Sequence, residues 1–143
     1  MNKNTSVLIL VCNFFFVITS IAQGTGTLTI TAKNFENTKG YAVVNLFREQ
    51  DDIPKRPFKT IKASIDNGVA KFVFERLPNG SYAALVFHDE NDNGTLDHKF
   101  GFPSEPMGFS NNWNLSLFSG MPTFKKLRFE HTSSKTDIEV KVD

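Results

Sequence analysis

The chain has 143 residues, with 16 Lys and Arg set against 15 Asp and Glu. That length is one domain's worth, and a near-neutral balance without a basic run argues against non-specific nucleic-acid binding. The single cysteine, Cys12, excludes an internal disulfide and a zinc site built from several cysteines.

The first segment reads as an export signal. Lys3 supplies a positive start, residues 7–21 are mostly apolar, and Ser20-Ile21-Ala22 places small residues two apart before Gln23. The apolar run is about 15 residues long and contains Asn13, whereas a spanning helix needs roughly 20. The expectation is a signal peptide over 1–22, cleaved between Ala22 and Gln23, and a protein that is periplasmic or secreted, with no membrane span after cleavage. Cleavage leaves 121 residues, in which 15 basic and 15 acidic side chains cancel and 12 phenylalanines remain to build a core.

Residues 27–33 alternate, with Leu28, Ile30 and Ala32 on one face and threonines on the other, the pattern of a half-buried strand. Asn37-Thr38-Lys39-Gly40 is a turn signal. Tyr41–Phe47 is an almost unbroken apolar run, as a central strand requires. Pro54 and Pro57 then forbid a central strand over residues 50–57. Residues 58–65 alternate again, and Asp66-Asn67-Gly68 is a hairpin turn, because Asn-Gly accepts the positive φ such turns need. Residues 69–75 carry Ala70, Phe72 and Phe74 on one face. Leu77-Pro78-Asn79-Gly80-Ser81-Tyr82 turns the chain into a strand over 82–88.

Glycines and prolines punctuate residues 98–123, and a loop of that length in a compact domain is usually functional or held by something. Residues 111–119 have room for a short helical turn. Residues 124–130 alternate through Phe124, Leu127 and Phe129, His131 lies in a polar turn and is expected to be solvated, and residues 136–142 close with Ile138, Val140 and Val142 on one face. Seven strands without an amphipathic helix predict an all-β fold, a single seven-stranded antiparallel β-sandwich over 23–143 with one long irregular loop.

Two resemblances follow. The turn from Leu77 to Tyr82 resembles the L-P-x-G-x-Y turn of transthyretin-like and collagen-adhesin B-type sandwiches, within a broadly immunoglobulin-like architecture. The resemblance gives Pro78, Gly80 and Tyr82 a structural role, with the tyrosine anchoring the corner. The physical chemistry agrees: proline presets one turn dihedral, glycine accepts positive φ, and a buried tyrosine hydroxyl needs a partner. The second resemblance spans most of the chain. Gly40-Tyr41 and its strand, the proline turn, the run from Val86 to Asp97, Phe100-Gly101-Phe102-Pro103, Gly108-Phe109-Ser110-Asn111-Asn112 and Pro122-Thr123-Phe124 occur in one order. This is similar to the bacterial secreted family called domain of unknown function 2141, and it implies one extracytoplasmic sandwich domain without bringing an activity.

The strongest chemical signal is His88-Asp89-Glu90-Asn91-Asp92-Asn93-Gly94-Thr95-Leu96-Asp97. Counting from Asp89, oxygen-bearing side chains fall at positions 1, 3 and 5, glycine at 6, and Thr95 and Asp97 at 7 and 9, the layout of a loop that wraps calcium. Phe100 stands at position 12, where such loops carry a bidentate glutamate, so further ligands must come from water or from Glu105, Asn111 or Asn112. The candidate metal residues are Asp89, Asn91, Asn93, Thr95 and Asp97, and the candidate cofactor is Ca2+. The same residues also make a metal-free turn in which Asp and Asn side chains bond nearby backbone N–H groups. Both readings stay open here.

His88, Asp89 and His98 raise a metal-dependent hydrolase as an alternative, but adjacent strand residues point to opposite faces, and a strand-end histidine bonding a loop carbonyl accounts for His88. Ser110 has no nucleophile-elbow context, and no phosphate or dinucleotide fingerprint occurs. Asn111, Asn112 and Trp113 combine amides with an aromatic face, which suits binding of a protein or glycan and equally suits anchoring of the loop. The expected function is a non-enzymatic β-sandwich module that presents residues 98–123 for binding. A metal-free structural or interaction domain is the first alternative.

Overall fold

The computed structural model describes residues 24–116, 118–132 and 134–143. The expected signal segment, with Cys12 and the Ala22–Gln23 junction, lies outside the described residues. The fold is all-β. Strands β1 (Thr25–Lys33), β2 (Tyr41–Phe47), β3 (Lys59–Ala63), β4 (Val69–Pro78) and β5 (Gly80–Asp89) follow the alternating and apolar segments of the sequence. The long loop contributes β6 (His98–Lys99), β7 (Phe102–Pro103) and β8 (Met107–Phe109), and the chain closes with helix α1 (Phe124–Leu127), β9 (Phe129–His131) and β10 (Lys135–Lys141).

These strands form a three-stranded sheet in the order β10-β1-β4 and a larger sheet in the order β3-β2-β5-β8, in which β9 also pairs with β5. Strands β6 and β7 form a separate small hairpin. The two main sheets share one apolar core. Leu28, Ile30 and Ala32 of β1, Phe72 and Phe74 of β4, Ala42, Val44 and Leu46 of β2 and Ala84 and Val86 of β5 all belong to it. The alternation of β1 and β4 points one face at this core and leaves the intervening residues outward, most of them polar, with Val69 and Val73 of β4 as exceptions.

The larger sheet is buried on both faces. Val43 and Phe47 of β2 and Ala83, Leu85 and Phe87 of β5 face away from the main core and pack with Phe109 and Leu127 in a second cluster. The nearly unbroken apolar runs of β2 and β5 are the sequence signature of that double burial. The second face is covered by the long loop and α1, through Leu96, Met107, Trp113 and Phe124. Each fully buried Phe or Leu in this cluster contributes roughly 1.5–3 kcal/mol relative to exposure.

Four expectations need correction. The pairing is not wholly antiparallel: β1 and β10 run parallel, from Thr27 opposite Lys135 to Lys33 opposite Lys141. A parallel pair needs a long crossover rather than a tight turn, and the first and last strands of the chain meet this condition. Residues 124–130 are not one strand. Phe124 to Leu127 is a turn of helix and only Phe129–His131 is extended, because Phe124 and Leu127 are spaced by three, a helical interval. Residues 98–123 are partly ordered into β6, β7, β8 and a 3-10 turn at Ser110–Asn112, so the strand count exceeds seven.

The fourth correction concerns His131, which is fully buried rather than solvated. Its Nδ1 lies 2.7 Å from Thr136 Oγ1 and its Nε2 3.2 Å from the Leu77 carbonyl oxygen, so both ring nitrogens find partners inside the protein. The corner turn behaves as its residues imply. The Tyr82 hydroxyl donates to the Pro78 carbonyl at 2.8 Å, and burial raises the phenol above its ordinary pKa.

Candidate functional site: an acidic turn beside an apolar cleft

Strand β5 ends at Asp89, which is fully buried. Its carboxylate accepts the backbone N–H groups of Asn93 at 3.0 Å and Gly94 at 2.9 Å. Asn91 Oδ1 also accepts the Asn93 N–H at 3.1 Å, and Asn93 Oδ1 accepts the Thr95 N–H at 2.8 Å and its hydroxyl at 2.9 Å. Each side chain bonds backbone a few residues on, and the chain curls; Gly94, at φ 77°, takes the left-handed conformation the curl requires. The curl brings Asn91 and Asn93 to Asp97, whose carboxylate accepts the Asn91 amide at 2.6 Å and the Asn93 amide at 2.9 Å. Asp92 points outward and pairs with Lys62.

Glu105 joins this turn to the long loop. Its carboxylate accepts the Asp97 N–H at 3.1 Å. Burial pushes the Glu105 carboxyl above the ordinary carboxylate range, the Asp97 N–H opposes the rise, and the charges of Asp97 and Asp89 add to it. All five predicted ligands, Asp89, Asn91, Asn93, Thr95 and Asp97, thus meet through side chains or turn backbone, with Glu105 beside them. Among the described residues, no three His, Cys, Asp or Glu side chains are placed to hold a metal ion, so any cation here relies on amide oxygens and water as well as carboxylates.

The three residues of the hydrolase reading have separate partners. The buried His88 ring donates from Nε2 to the Lys39 carbonyl at 2.7 Å and stands edge-on to Phe35 at 5.4 Å. Its Nδ1 lies 3.7 Å from Glu90 Oε1. Asp89 caps the turn, and His98 is exposed on the β6–β7 hairpin. Ser110 is a buried brace: its hydroxyl accepts the Ala84 N–H at 2.8 Å and donates to the Leu127 carbonyl at 2.6 Å.

Asn111 and Asn112 are exposed residues of the 3-10 turn. The Asn111 amide donates to the Lys126 carbonyl at 3.0 Å. Trp113 is half-buried, T-shaped against Phe109 at 4.8 Å, with the Lys126 ammonium 5.4 Å from its ring centre. Asn111 and Trp113 thus fasten the loop to α1.

A cleft of about 470 Å³ opens between the β6–β7 hairpin and residues Leu115, Ser116, Gly120, Met121 and Pro122. Leu85 and Phe109 form part of its lining, and Leu96, Phe102, Leu115 and Met121 bring apolar side chains to it from the loops. Sequence reasoning missed these lining residues. Their signal was the number of large apolar side chains in a segment that glycine and proline mark as loop: Phe100, Phe102, Leu115, Phe118 and Met121 all remain exposed, and clustered exposed apolar groups are informative where scattered ones are not.

Fold and site together define a small all-β domain in which one long loop builds an apolar cleft next to an acidic turn. The chain belongs to the bacterial family described as "Uncharacterized protein conserved in bacteria (DUF2141)", which matches residues 30–139. No curated protein and no solved structure matches it.

Proposed function

We propose that this protein is a non-enzymatic, extracytoplasmic β-sandwich module whose residues 98–123 form a binding surface braced by calcium in the acidic turn. The observation that carries the reading is the cleft. Leu85 and Phe109 are already buried beneath the long loop, yet the loop also holds open an apolar recess of about 470 Å³ rimmed by further exposed apolar side chains. Concave, mostly apolar recesses with a few polar groups nearby are the usual form of a binding site.

Calcium suits the turn on chemical grounds. Asp97 already collects two amide groups; a cation there would draw in the two amide oxygens in exchange for the Asn93 N–H and the Thr95 N–H and hydroxyl that they accept in the metal-free turn. A cation then takes over the role that the amide hydrogens hold at the Asp97 carboxylate. The Asp97–Glu105 link passes that bracing to the cleft.

Two measurements test the reading. A solvatochromic apolar probe, anilinonaphthalene sulfonate, should bind the folded protein saturably, and Met121→Glu should weaken it at least tenfold. Absence of saturable probe binding overturns the binding-surface reading. Thermal unfolding with excess calcium and with chelator tests the brace: a ligand at a hundredfold excess over its Kd stabilises by about 2.7 kcal/mol. The rise should vanish in Asp97→Ala, which spares the Asp89 caps. Identical melts make the turn metal-free.

A further inference from the structure

Phe100 and Phe118 are fully exposed, Phe102 and Met121 are largely exposed, and all four sit on the two segments that line one cleft. Phe100 is the tip of the β6–β7 hairpin, at φ 52°, followed by Gly101 at φ 84°. Such two-residue turns favour Asn or Asp before Gly, and a bulky residue in the left-handed region is disfavoured by its own Cβ. Phe100 thus holds its phenyl ring in water in a backbone conformation that its side chain disfavours.

Basic side chains outnumber carboxylates along this part of the chain, although Glu105 and Asp143 stand beside Phe102 and the acidic turn ends at Asp97, where the hairpin begins. Residues 98–128 contain Lys99, Lys125, Lys126 and Arg128 and a single carboxylate, Glu105, so the other residues, with 12 basic against 14 acidic groups, carry a net charge of −2. Arg128 pairs with Glu130 at 3.0 Å. Lys99, Lys125 and Lys126 have no ion-pair partner among the described residues. Lys126 holds its ammonium at the loop bearing Phe118 and Met121, donating to the Ser119 carbonyl at 2.6 Å and the Met121 carbonyl at 3.0 Å. Lys99 immediately precedes Phe100.

From this arrangement we infer that the hairpin tip and the 118–121 loop dock the protein peripherally on an anionic phospholipid bilayer. Phenyl rings on separate loop tips, fringed by lysines, match the apolar-below, anionic-above layering of a lipid interface. No helix among the described residues is long and apolar enough to cross a membrane, so attachment through this face is peripheral. The inference rests on the binding-surface reading and names its partner.

The test is cosedimentation of the full chain with vesicles of phosphatidylglycerol and phosphatidylethanolamine, beside vesicles of phosphatidylcholine alone. Any contribution of residues 1–23 is common to the wild type and to the Phe100→Ser/Phe118→Ser variant, so their difference is the readout. The wild type should bind anionic vesicles at least tenfold more tightly than the variant, and should bind phosphatidylcholine and high-salt samples weakly. A variant that melts like the wild type and binds vesicles equally well overturns the inference. So does a wild type that self-associates in sedimentation through these rings and ignores vesicles, which makes the partner a second copy. Saturable probe binding without vesicle binding overturns the bilayer alone, and loss of both overturns the reading beneath it.

Discussion

The carboxylate of Glu105 accepts the backbone N–H of Asp97 at 3.1 Å, and through this contact the acidic turn after β5 is tied to the loop that builds the cleft. Burial raises the Glu105 pKa above its ordinary value, with the charges of Asp97 and Asp89 contributing. A carboxyl whose folded pKa is raised favours the folded state most below its unfolded pKa, and that advantage is lost as pH rises through the folded value. Chelator-treated Glu105→Gln keeps an acceptor for Asp97 but has no such loss. Urea unfolding at about pH 4 and about pH 7 should therefore show a smaller fall in stability with rising pH in the variant than in the wild type.

Tyr82 and Pro78 set the corner between β4 and β5. Tyr82→Phe removes the 2.8 Å bond to the Pro78 carbonyl while keeping the ring against Phe58 and Phe129. Loss of one such bond in a mostly buried position should cost about 1–2 kcal/mol. Denaturant unfolding measures it, and an unchanged midpoint removes the tyrosine anchor from the account of the turn.

Ser110 links β5 to the carbonyl that ends α1. In Ser110→Ala the Ala84 N–H and the Leu127 carbonyl both lose their side-chain partner in a buried place. The expected loss is about 2–3 kcal/mol, accompanied by faster hydrogen exchange at Ala84. Chemistry at this serine is not expected, so a serine-directed acylating reagent should leave the folded protein unlabelled.

Gly40 combines φ 60° with close approach to the Asp89 carbonyl, which a Cβ at that position would strike. Gly40→Ala therefore forces β2 away from the end of β5, at a cost of about 2–3 kcal/mol from crowding and dihedral strain together. The same shift displaces Asp89, so the melting temperature and any calcium response should fall in one variant.

Much of the sheet was legible in the sequence because strand alternation is local chemistry. The threonines interleaved with Leu28, Ile30 and Ala32 announce one buried face, and the run from Val43 to Phe47, broken only by Asn45, announces two. The acidic turn was legible for a related reason: Asp89, Asn91 and Asn93 bond backbone only a few residues away, so their spacing alone dictates the curl. The bond of His88 to a loop carbonyl and the Tyr82 corner follow from the need of buried polar groups for partners.

What only the tertiary structure decided depends on residues distant in the chain. Whether β10 lies parallel to β1 is set by which edge of the sheet remains open, and no local pattern encodes that. His131 looks solvated among polar neighbours, yet Leu77, 54 positions away, supplies the carbonyl that makes its burial tolerable. Phe124 and Leu127 fit strand and helix alike until Ser110 fixes the Leu127 carbonyl. The cleft is the clearest case. Its walls come from β5, the β6–β7 hairpin, Leu115, Ser116 and Gly120 to Pro122, and apolar side chains in loops become a surface only when the outer face of a doubly buried sheet gathers them.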